Sequence, residues 1–148
     1  MSQLNIRSAT VDDIPSMLEP AEAFLEYHPL SLTFDKEYME DQLKELIARG
    51  VILIASENSK DIGWMGGIIA PIPFSLNDTS LVEMFWWVDP KHRESSAGIN
   101  LLREFEEVAK QAGVTKVTMT ATSKTPRLYK IYEKLDYVEV ERSFCKEI

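Results

Sequence analysis

Cysteine, histidine and long apolar runs are scarce in this sequence of 148 residues. The single cysteine, Cys145, excludes an intramolecular disulfide, and with only His28 and His92 beside it the chain has a poor ligand set for zinc. We therefore predict that it binds no metal. No segment approaches the roughly 20 apolar residues of a membrane-spanning helix, and residues 1–7 lack the features of a signal peptide. We accordingly expect a cytoplasmic protein with no membrane partner.

Basic side chains are also sparse. The formal net charge is −8, and residues 1–50 contain ten acidic but only four basic side chains. Nucleic-acid binding depends on a clustered basic surface, which this distribution lacks, so we predict no nucleic-acid partner. Most acidic runs are simply solvated helix surfaces. A cationic partner nevertheless suits this charge better than a phosphate polymer does.

Linkers, internal repeats and low-complexity tracts are missing, so residues 1–148 are predicted to form one domain. Hydrophobic periodicity predicts the element order β-α-α-β-β-β-α-β-α-β. The last of these elements is the tail, residues 137–146, which alternates around Val138 and Val140 and is expected to return as one or two antiparallel strands. The chain is therefore assigned to the α/β class.

Four helices are expected. The first opens at Thr10 with Asp13 as its capping-box partner, and Pro20 is expected to kink or divide it. The second begins at the N-cap residue Asp35 and ends at Gly50. The other two are a strongly amphipathic helix over 97–112 and a helix that starts at Pro126.

The strands are predicted from short apolar runs. Residues 51–55 and 62–70 form a hairpin, in which Gly66-Gly67 is a candidate bulge. A loop over 71–79 then leads to an apolar and aromatic strand over 81–88, which ends at Asp89-Pro90. We expect this last strand to be central in the sheet.

The segment Val88 to Leu102, V-D-P-K-H-R-E-S-S-A-G-I-N-L-L, is the most informative for function. An apolar strand stops, a polar loop of small residues follows, and an amphipathic helix begins. Main-chain N–H groups at a helix start lack intrahelical partners and lie at the positive end of the helix dipole, which suits a pyrophosphate. Similar units also occur where nothing binds, so the segment alone leaves an anion site and a plain turn equally open.

This segment resembles the acetyl-CoA signature of the GNAT superfamily of N-acetyltransferases. That signature is a strand ending in Val-x-Pro, then Arg/Gln-x-x-Gly-x-Gly/Ala and a Leu-Leu helix. Arg93 matches its first position and Gly98 its last, whereas Ser96 replaces the first glycine and removes one permissive backbone position. The Ser-Ser-Ala-Gly form is similar to that of phage-encoded members.

A second segment, L-Y-K-I-Y-E-K-L-D-Y, resembles the family pattern Asn-x-x-Ala-x-x-Leu-Tyr-x-Lys-x-Gly-Phe. Tyr132 and Lys134 match it, while Thr125 stands for the Asn and Asp136 for the Gly. With both motifs the resemblance covers nearly the whole chain. It implies the GNAT fold, a single mixed, mostly antiparallel sheet of about six or seven strands flanked by about four helices.

The resemblance also implies an acyltransferase that moves an acetyl group from acetyl-CoA to a primary amine by direct attack. The acceptor would be a small amine or an amine of a protein or peptide, and the enzyme would be a monomer or a homodimer. The rival hypothesis is a non-catalytic acyl-CoA-binding or protein-interaction module on the same fold. The implied cofactor-binding residues are Trp86, Trp87, Val88, Arg93, Glu94, Ser95, Ser96, Ala97, Gly98, Ile99 and Tyr129.

Two residues are candidates for catalysis. Tyr132 matches the family tyrosine that protonates the departing thiolate, with a core aromatic as the plain alternative and Tyr129 as the fallback acid. Glu83 is the first candidate for the base, because a carboxylate inside an apolar strand is costly unless it is paired or faces water. A structural ion pair or an exposed position is equally consistent with it. In a regular strand Glu83 would share a face with Phe85 and Trp87.

The acceptor side is less well marked. By resemblance, His28 after the first helix and Phe74 in the 71–79 loop are weak substrate-binding candidates. We also hypothesise that the acidic outer faces of the first two helices attract a cationic acceptor, with Glu37, Glu40 and Asp41 as the acidic cluster.

Overall fold

The computed structural model describes residues 3–148, so Met1 and Ser2 of the predicted domain lie outside the described residues. Within this range the chain forms five strands and four α-helices. The strands are β1 (Leu4–Ser8), β2 (Val51–Glu57), β3 (Lys60–Ile72), β4 (Ser75–Val88) and β5 (Lys116–Thr118). The helices are α1 (Ile14–Leu25), α2 (Lys36–Arg49), α3 (Ala97–Gln111) and α4 (Arg127–Lys134).

The sheet has the order β1-β2-β3-β4-β5. Neighbours from β1 to β4 are antiparallel, and β4 and β5 are parallel. The predicted mixed, mostly antiparallel sheet with four helices is therefore confirmed. The predicted six or seven strands are wrong, since the described residues form five.

The missing strands are those expected in the tail. Val138 and Val140 are 80% and 81% exposed, and every residue from 138 to 148 is exposed. An alternating pattern makes one face of a segment apolar, but a strand also needs a neighbouring edge to satisfy its main chain. Among residues 3–148 no strand pairs with the tail, so the alternation alone was misleading.

The predicted loop over 71–79 is also wrong, because β3 and β4 continue into it as a hairpin. Pro71 lies opposite Thr79 and Ile72 opposite Ser75. Proline interrupts most strands because it has no N–H to donate to the neighbouring strand. Pro71 lies near the end of a hairpin, where the loss of one such hydrogen bond destabilises the sheet little. Phe74 lies at the tip with φ 70° and its side chain fully exposed.

The helix ends agree with their capping signals. Before α1, the Asp13 carboxylate accepts a hydrogen bond from the Thr10 N–H at 2.8 Å. Before α2, the Asp35 carboxylate accepts one from the Tyr38 N–H at 3.0 Å. Pro20 lies inside α1 without dividing it, so of the two predicted outcomes, a kink or a division, the division is wrong. Because Ser16, one turn earlier, is exposed, its carbonyl can be hydrated in place of the lost helical bond.

The core lies on both faces of the sheet. On one face α3 buries Leu101, Leu102 and Phe105 against sheet residues such as Met65 and Leu81. On the other, α1 and α2 cover a second cluster that consists of Ile14, Met17, Leu43, Leu46, Ile52, Ile54, Trp64 and Trp87. The sheet between the two clusters is therefore fixed on both sides.

A bulge in β4 decides which side chains share a face. Gly67 pairs with Glu83 and Gly66 with Phe85, so Met84 is an extra residue on β4. The predicted bulge at the glycine pair is confirmed, with the inserted residue on the partner strand. Past the bulge the alternation shifts by one, and Glu83 shares the α3 face with Trp86, while Phe85 belongs to the opposite face. The facing given for a regular strand, with Glu83 beside Phe85 and Trp87, therefore does not apply to this bulged strand.

Candidate functional site

The strands β4 and β5 pair over three residues and then separate. Their last pair is Val82 with Thr118. Farther along, the Thr120 N–H donates to Oε2 of Glu83 at 3.1 Å instead of to the β4 main chain. The carboxylate of Glu83 thus lies just past the end of this pairing and holds the chain after β5 at a side chain's distance from β4. We infer from this geometry an opening between β4 and the chain that follows β5, which we call the β4–β5 cleft.

Main-chain groups of β4 line this cleft. The Asp89 N–H donates to Ile62 O in the neighbouring strand at 2.8 Å. Because successive residues of a strand point their main-chain groups in opposite directions, those of Trp86 and Val88 point away from β3 and into the cleft. The main chain of Trp87 points to β3, and its side chain packs on the α1 side with ring centres 5.3 Å from Tyr27. Trp86 can therefore contact a ligand in the cleft through its main-chain N–H and carbonyl, and Val88 through its N–H, because the Val88 carbonyl already accepts from Arg93 Nε at 2.9 Å.

The start of α3 lies at the same end of β4. Ser95 Oγ accepts from the Ala97 N–H at 3.2 Å, but the N–H groups of Ser96, Gly98 and Ile99 have no partner among residues 3–148. No acidic residue lies in the first turn of α3. Unpaired donors at the positive end of a helix, with no carboxylate in its first turn, form a site that suits an anion such as pyrophosphate.

Ser96 does not weaken this site through its backbone. Its φ is −76°, which any residue adopts, so the position does not require the glycine that the family signature has there. Beside it, a Cβ placed on Gly98 would lie 3.5 Å from the Trp86 ring, an ordinary contact distance. The Trp86 indole N–H is itself buried without a hydrogen-bond partner in the described chain. These features fit the pyrophosphate and pantetheine groups of acetyl-CoA.

The other loop residues have different surroundings. Ala97 is fully buried in the α3 core, and Glu94 is exposed. Arg93 turns its side chain away from the start of α3. Its guanidinium carbon lies 4.5 Å from the ring centre of Trp87 and 4.9 Å from that of Tyr27.

Glu83 and Tyr132 meet at one residue of the chain after β5. Thr120 donates its N–H to Glu83, and its carbonyl accepts the Tyr132 hydroxyl at 2.8 Å. The Tyr132 ring stacks on Trp86 with centres 6.3 Å apart. The two candidate catalytic side chains are thus brought together, whereas Tyr129 is 47% exposed on α4.

Burial changes the proton affinity of both groups. Desolvation raises the pKa of Glu83 to about 7, with the hydrogen bonds from Thr120 acting in the opposite direction. Burial, and then the negative charge of Glu83, raise the pKa of Tyr132. The site therefore pairs a carboxyl group that titrates near neutral pH with a phenol that stays protonated there.

A cavity of about 470 Å³ lies between the end of α1 and the chain after β5. His28 lines it, and its Nδ1 accepts from the Leu30 N–H at 3.1 Å. Sequence reasoning did not single out three further lining residues, Glu22, Glu26 and Lys124. The i, i+4 spacing of Glu22 on α1 and Glu26 at its C-cap is the signal that would have indicated the two glutamates. Phe74 lies at the exposed hairpin tip and does not line this cavity.

Across residues 3–148 no group of three His, Cys, Asp or Glu side chains is arranged to hold a metal ion. No α-helix in the described part of the chain is both long and apolar enough to cross a membrane.

The model of the Acetyltransferase (GNAT) family matches residues 17–137. The chain belongs to the GNAT acetyltransferase family. The match spans both motifs, the β4–β5 cleft and the start of α3. No curated protein matches the chain in sequence.

Solved structures of the same fold extend over almost the whole chain. A predicted acetyltransferase from Clostridium acetobutylicum, solved with acetyl-CoA, is 16% identical with a TM-score of 0.81, over 98% of this chain and 96% of its own. A GCN5-related N-acetyltransferase from Ralstonia eutropha is 21% identical with a TM-score of 0.80, over 99% of each chain. An aminoglycoside acetyltransferase from an uncultured soil sample, in complex with sisomicin, is 16% identical with a TM-score of 0.72, over 98% and 95%.

These likenesses confirm the GNAT fold that the motifs implied. In this chain the loop before α3 has Ser96 where the family signature has its first glycine, and Arg93 of that loop packs against Tyr27, just past the end of α1.

Proposed function

We propose that this GNAT protein is an acetyl-CoA-dependent N-acetyltransferase that acetylates a cationic primary amine by direct attack. The observation that carries the proposal is the meeting of Glu83 and Tyr132 at Thr120, where the cleft between β4 and β5 opens. A protein that only bound an acyl-CoA would need the cleft but not a titrating acid and base inside it.

Acetyl-CoA would lie along the cleft. In this proposal the main chains of Trp86 and Val88 bind its pantetheine arm, and the N–H groups of Ser96, Gly98 and Ile99 bind its pyrophosphate. The bound cofactor supplies the acetyl thioester. Support comes from the unpartnered N–H groups at the start of α3 and from the GNAT structure solved with acetyl-CoA.

Glu83 is proposed as the general base. An amine must lose a proton before or while it attacks the thioester carbon, and a base is most effective when its pKa is near the working pH. The raised pKa of Glu83, about 7, meets this requirement. Its Oε2 is held by Thr120, which leaves Oε1 to accept the proton directly or through a water molecule.

Tyr132 is proposed as the donor to the departing thiolate. Because part of its raised pKa comes from the charge of Glu83, protonation of Glu83 by the amine lowers the pKa of Tyr132 again. The acid is thus strengthened at the step in which the sulfur leaves. The Thr120 carbonyl holds the hydroxyl in the meantime.

The acceptor is proposed to enter through the cavity at the end of α1. Glu22 and Glu26 give that cavity two carboxylates, which suit a cationic amine before it loses its proton. Lys124 also lines the cavity and would favour an acceptor whose cationic groups are spaced apart. A polyamine, a basic antibiotic or a lysine-bearing peptide has this chemistry.

One experiment tests the proposal against the binding-module alternative. The protein is incubated with acetyl-CoA and a panel of amines that includes spermidine, sisomicin and a lysine-containing peptide, and free thiol is followed with time. An enzyme releases many equivalents of CoA thiol with at least one amine. Binding of acetyl-CoA without release of thiol for any amine would establish the module instead.

A further inference from the structure

Arg93 extends from the loop before α3 to the end of α1. Its Nε donates to the Val88 carbonyl at 2.9 Å, and Nη1 donates to the Tyr27 hydroxyl at 3.3 Å. The guanidinium lies against two rings at once, with its carbon 4.5 Å from the Trp87 centre and 4.9 Å from the Tyr27 centre. Arg93 therefore joins β4 to the turn that follows α1.

We infer that Arg93 is a positioning residue for the amine side of the site and that its guanidinium does not bind the pyrophosphate. The inference rests on the proposed function, because it assigns Arg93 to one of the two substrates of that site. Tyr27 directly precedes His28, which lines the cavity where the amine is proposed to enter. Fixing Tyr27 against the cofactor loop fixes the wall of that cavity.

The surroundings of Arg93 favour this role. Trp87 is only 9% exposed and belongs to the core under α1, and its ring also meets the edge of Phe24 at 6.4 Å. The ring is thus a fixed platform for the guanidinium. Moving Arg93 to the start of α3 would give up both ring contacts and the bond to the Val88 carbonyl, while the unpaired N–H groups there can bind an anion without it.

The contacts of Arg93 depend on the planar shape of its guanidinium group as well as on its charge. A lysine at 93 would keep the positive charge but lose the flat stacking surface and the Nε–H that reaches Val88. A pyrophosphate ligand would depend mainly on the charge. The two roles therefore differ in their response to Arg93→Lys.

The test compares Arg93→Ala, Arg93→Lys, Tyr27→Ala and the Arg93→Ala/Tyr27→Ala double variant. Lys91→Ala is the control, because Lys91 is an exposed cation in the same loop without contacts to these rings. The Kd for CoA is measured by calorimetry. KM and kcat are measured with spermidine as acceptor, and exchange of the Tyr27 and His28 amide hydrogens is followed, since both amides bond within the last turn of α1.

We expect the CoA Kd to stay within about 3-fold of wild type in every variant, while KM for spermidine rises by about 3- to 30-fold in Arg93→Ala. The KM of Arg93→Lys should be closer to that of Arg93→Ala than to that of the wild type. Tyr27→Ala should have the same KM as Arg93→Ala, and the double variant should have a KM little higher than either single variant. The Tyr27 and His28 amides should exchange faster in Arg93→Ala and remain unchanged in Lys91→Ala.

A CoA Kd weakened about 10-fold or more in Arg93→Ala, with recovery in Arg93→Lys and no effect of Tyr27→Ala, would overturn the inference and make Arg93 a pyrophosphate ligand. Unchanged amide exchange in Arg93→Ala would overturn it as well. If the wild type binds no CoA or leaves spermidine unmodified, the proposed cofactor or acceptor fails. Amide exchange still decides the role of Arg93 in that case.

Discussion

Glu83 occupies a position where an ionised carboxyl group is costly. It is 7% exposed, and the hydrogen bonding that lowers its pKa comes from Thr120 alone, whose N–H lies 3.1 Å from Oε2. One residue does not replace the water that the carboxylate loses on burial, which is why desolvation dominates and the pKa rises to about 7. The same burial makes Glu83 a base near neutral pH. It also means that ionisation of Glu83 lowers the stability of the folded protein above about pH 7.

Replacing Glu83 by Gln tests both consequences. The pKa of Glu83 is about 7 in the folded protein and 4.5 without the fold, so the native state binds more protons between these values. Stability of the wild type should therefore fall as pH rises from about 4.5 to about 7, and Gln should remove that fall. Thermal melts at pH 5 and pH 8 should show Glu83→Gln gaining up to about 3 kcal/mol relative to wild type at the higher pH.

The same variant should lose activity. If Glu83 is the base, kcat falls by about 10² to 10⁴, and the rise of kcat/KM with an apparent pKa near 7 disappears. Glu83→Asp, which keeps a carboxyl group on a shorter side chain, is the control and should retain part of the pH dependence. Wild-type turnover in Glu83→Gln would leave Glu83 the purely structural role of holding β5 away from β4.

Tyr132→Phe removes only the hydroxyl group that bonds to Thr120. Since the ring still stacks on Trp86, CoA binding should stay close to that of the wild type while kcat falls by about 10² to 10⁴. Tyr129→Phe is the matched control, because Tyr129 is a half-exposed tyrosine on the same helix. Full activity of Tyr132→Phe together with a loss in Tyr129→Phe would transfer the acid role to Tyr129.

Sequence reasoning found these two residues by different means. Tyr132 was identified by its place in a family motif, and Glu83 because a carboxylate interrupts an apolar strand. Their meeting at Thr120 was beyond prediction, because it depends on the extra residue Met84, which turns Glu83 toward the α3 face. For Arg93 the motif identified the residue, but it could not predict the direction of the side chain, which packs on Tyr27 and Trp87.

At the scale of elements, α3 is a helix whose N-terminus is only partly capped. Ser95 Oγ accepts from the Ala97 N–H, but the hydroxyl of the N-cap residue Ser96 makes no capping bond, and the N–H groups of Gly98 and Ile99 have no partner in the described chain. An uncapped helix start costs stability that a bound anion can restore. The start of α3 is thus a place where ligand binding and fold stability are coupled.

CoA should accordingly stabilise the protein. At about 100 times its Kd, a ligand bound only by the folded state adds about 2.7 kcal/mol, which corresponds to about 5 to 10 °C in Tm for a chain of this length. Gly98→Val should abolish the shift because its methyl groups fill the space between the α3 start and Trp86. Gly98→Ala is the control, since its Cβ meets only ordinary contact distances and should preserve most of the shift.

An unchanged Tm of the wild type in millimolar CoA would remove the cofactor assignment. A shift of equal size in Gly98→Val and wild type would instead move the pyrophosphate away from the start of α3.

The elements were predictable where a signal was local. The caps at Asp13 and Asp35 and the amphipathic face of α3 all follow from neighbouring residues, and the structure agrees. The misses depended on neighbours far away in the chain. The strands predicted over 137–146 needed an edge to pair with. The prolines after Ala70 ended the predicted strand there, although the hairpin continues to Ile72.

At the scale of the whole molecule, the charge of −8 is distributed unevenly. On α2, Glu40 lies 4.0 Å from Lys36 and Asp41 lies 3.4 Å from Lys44, so this cluster is partly neutralised by its own helix. The two glutamates that line the cavity are instead at the end of α1, Glu22 in its last turn and Glu26 at its C-cap. The acidic cluster hypothesised from sequence, Glu37, Glu40 and Asp41, does not line it.

Long-range attraction and local recognition of a cationic acceptor can therefore be separated with two matched charge reversals. Glu22→Lys/Glu26→Lys and Glu37→Lys/Asp41→Lys both reverse an exposed i, i+4 acidic pair and change the net charge equally. The first pair lies at the cavity and the second outside it. Any difference between the two variants arises from position and not from net charge.

We expect kcat/KM for spermidine to fall as ionic strength rises, because the Debye length shrinks to about 10 Å at 0.1 M and about 3 Å at 1 M. The α1 reversal should lower kcat/KM by about 10-fold or more at low salt and flatten the salt dependence, since it removes the nearest charges. The α2 reversal should have a smaller effect that vanishes at high salt. Equal effects of the two reversals would mean that the net charge of the N-terminal half attracts the amine and that the position of the carboxylates does not matter. A kcat/KM that does not depend on salt would show that these carboxylates serve solubility alone.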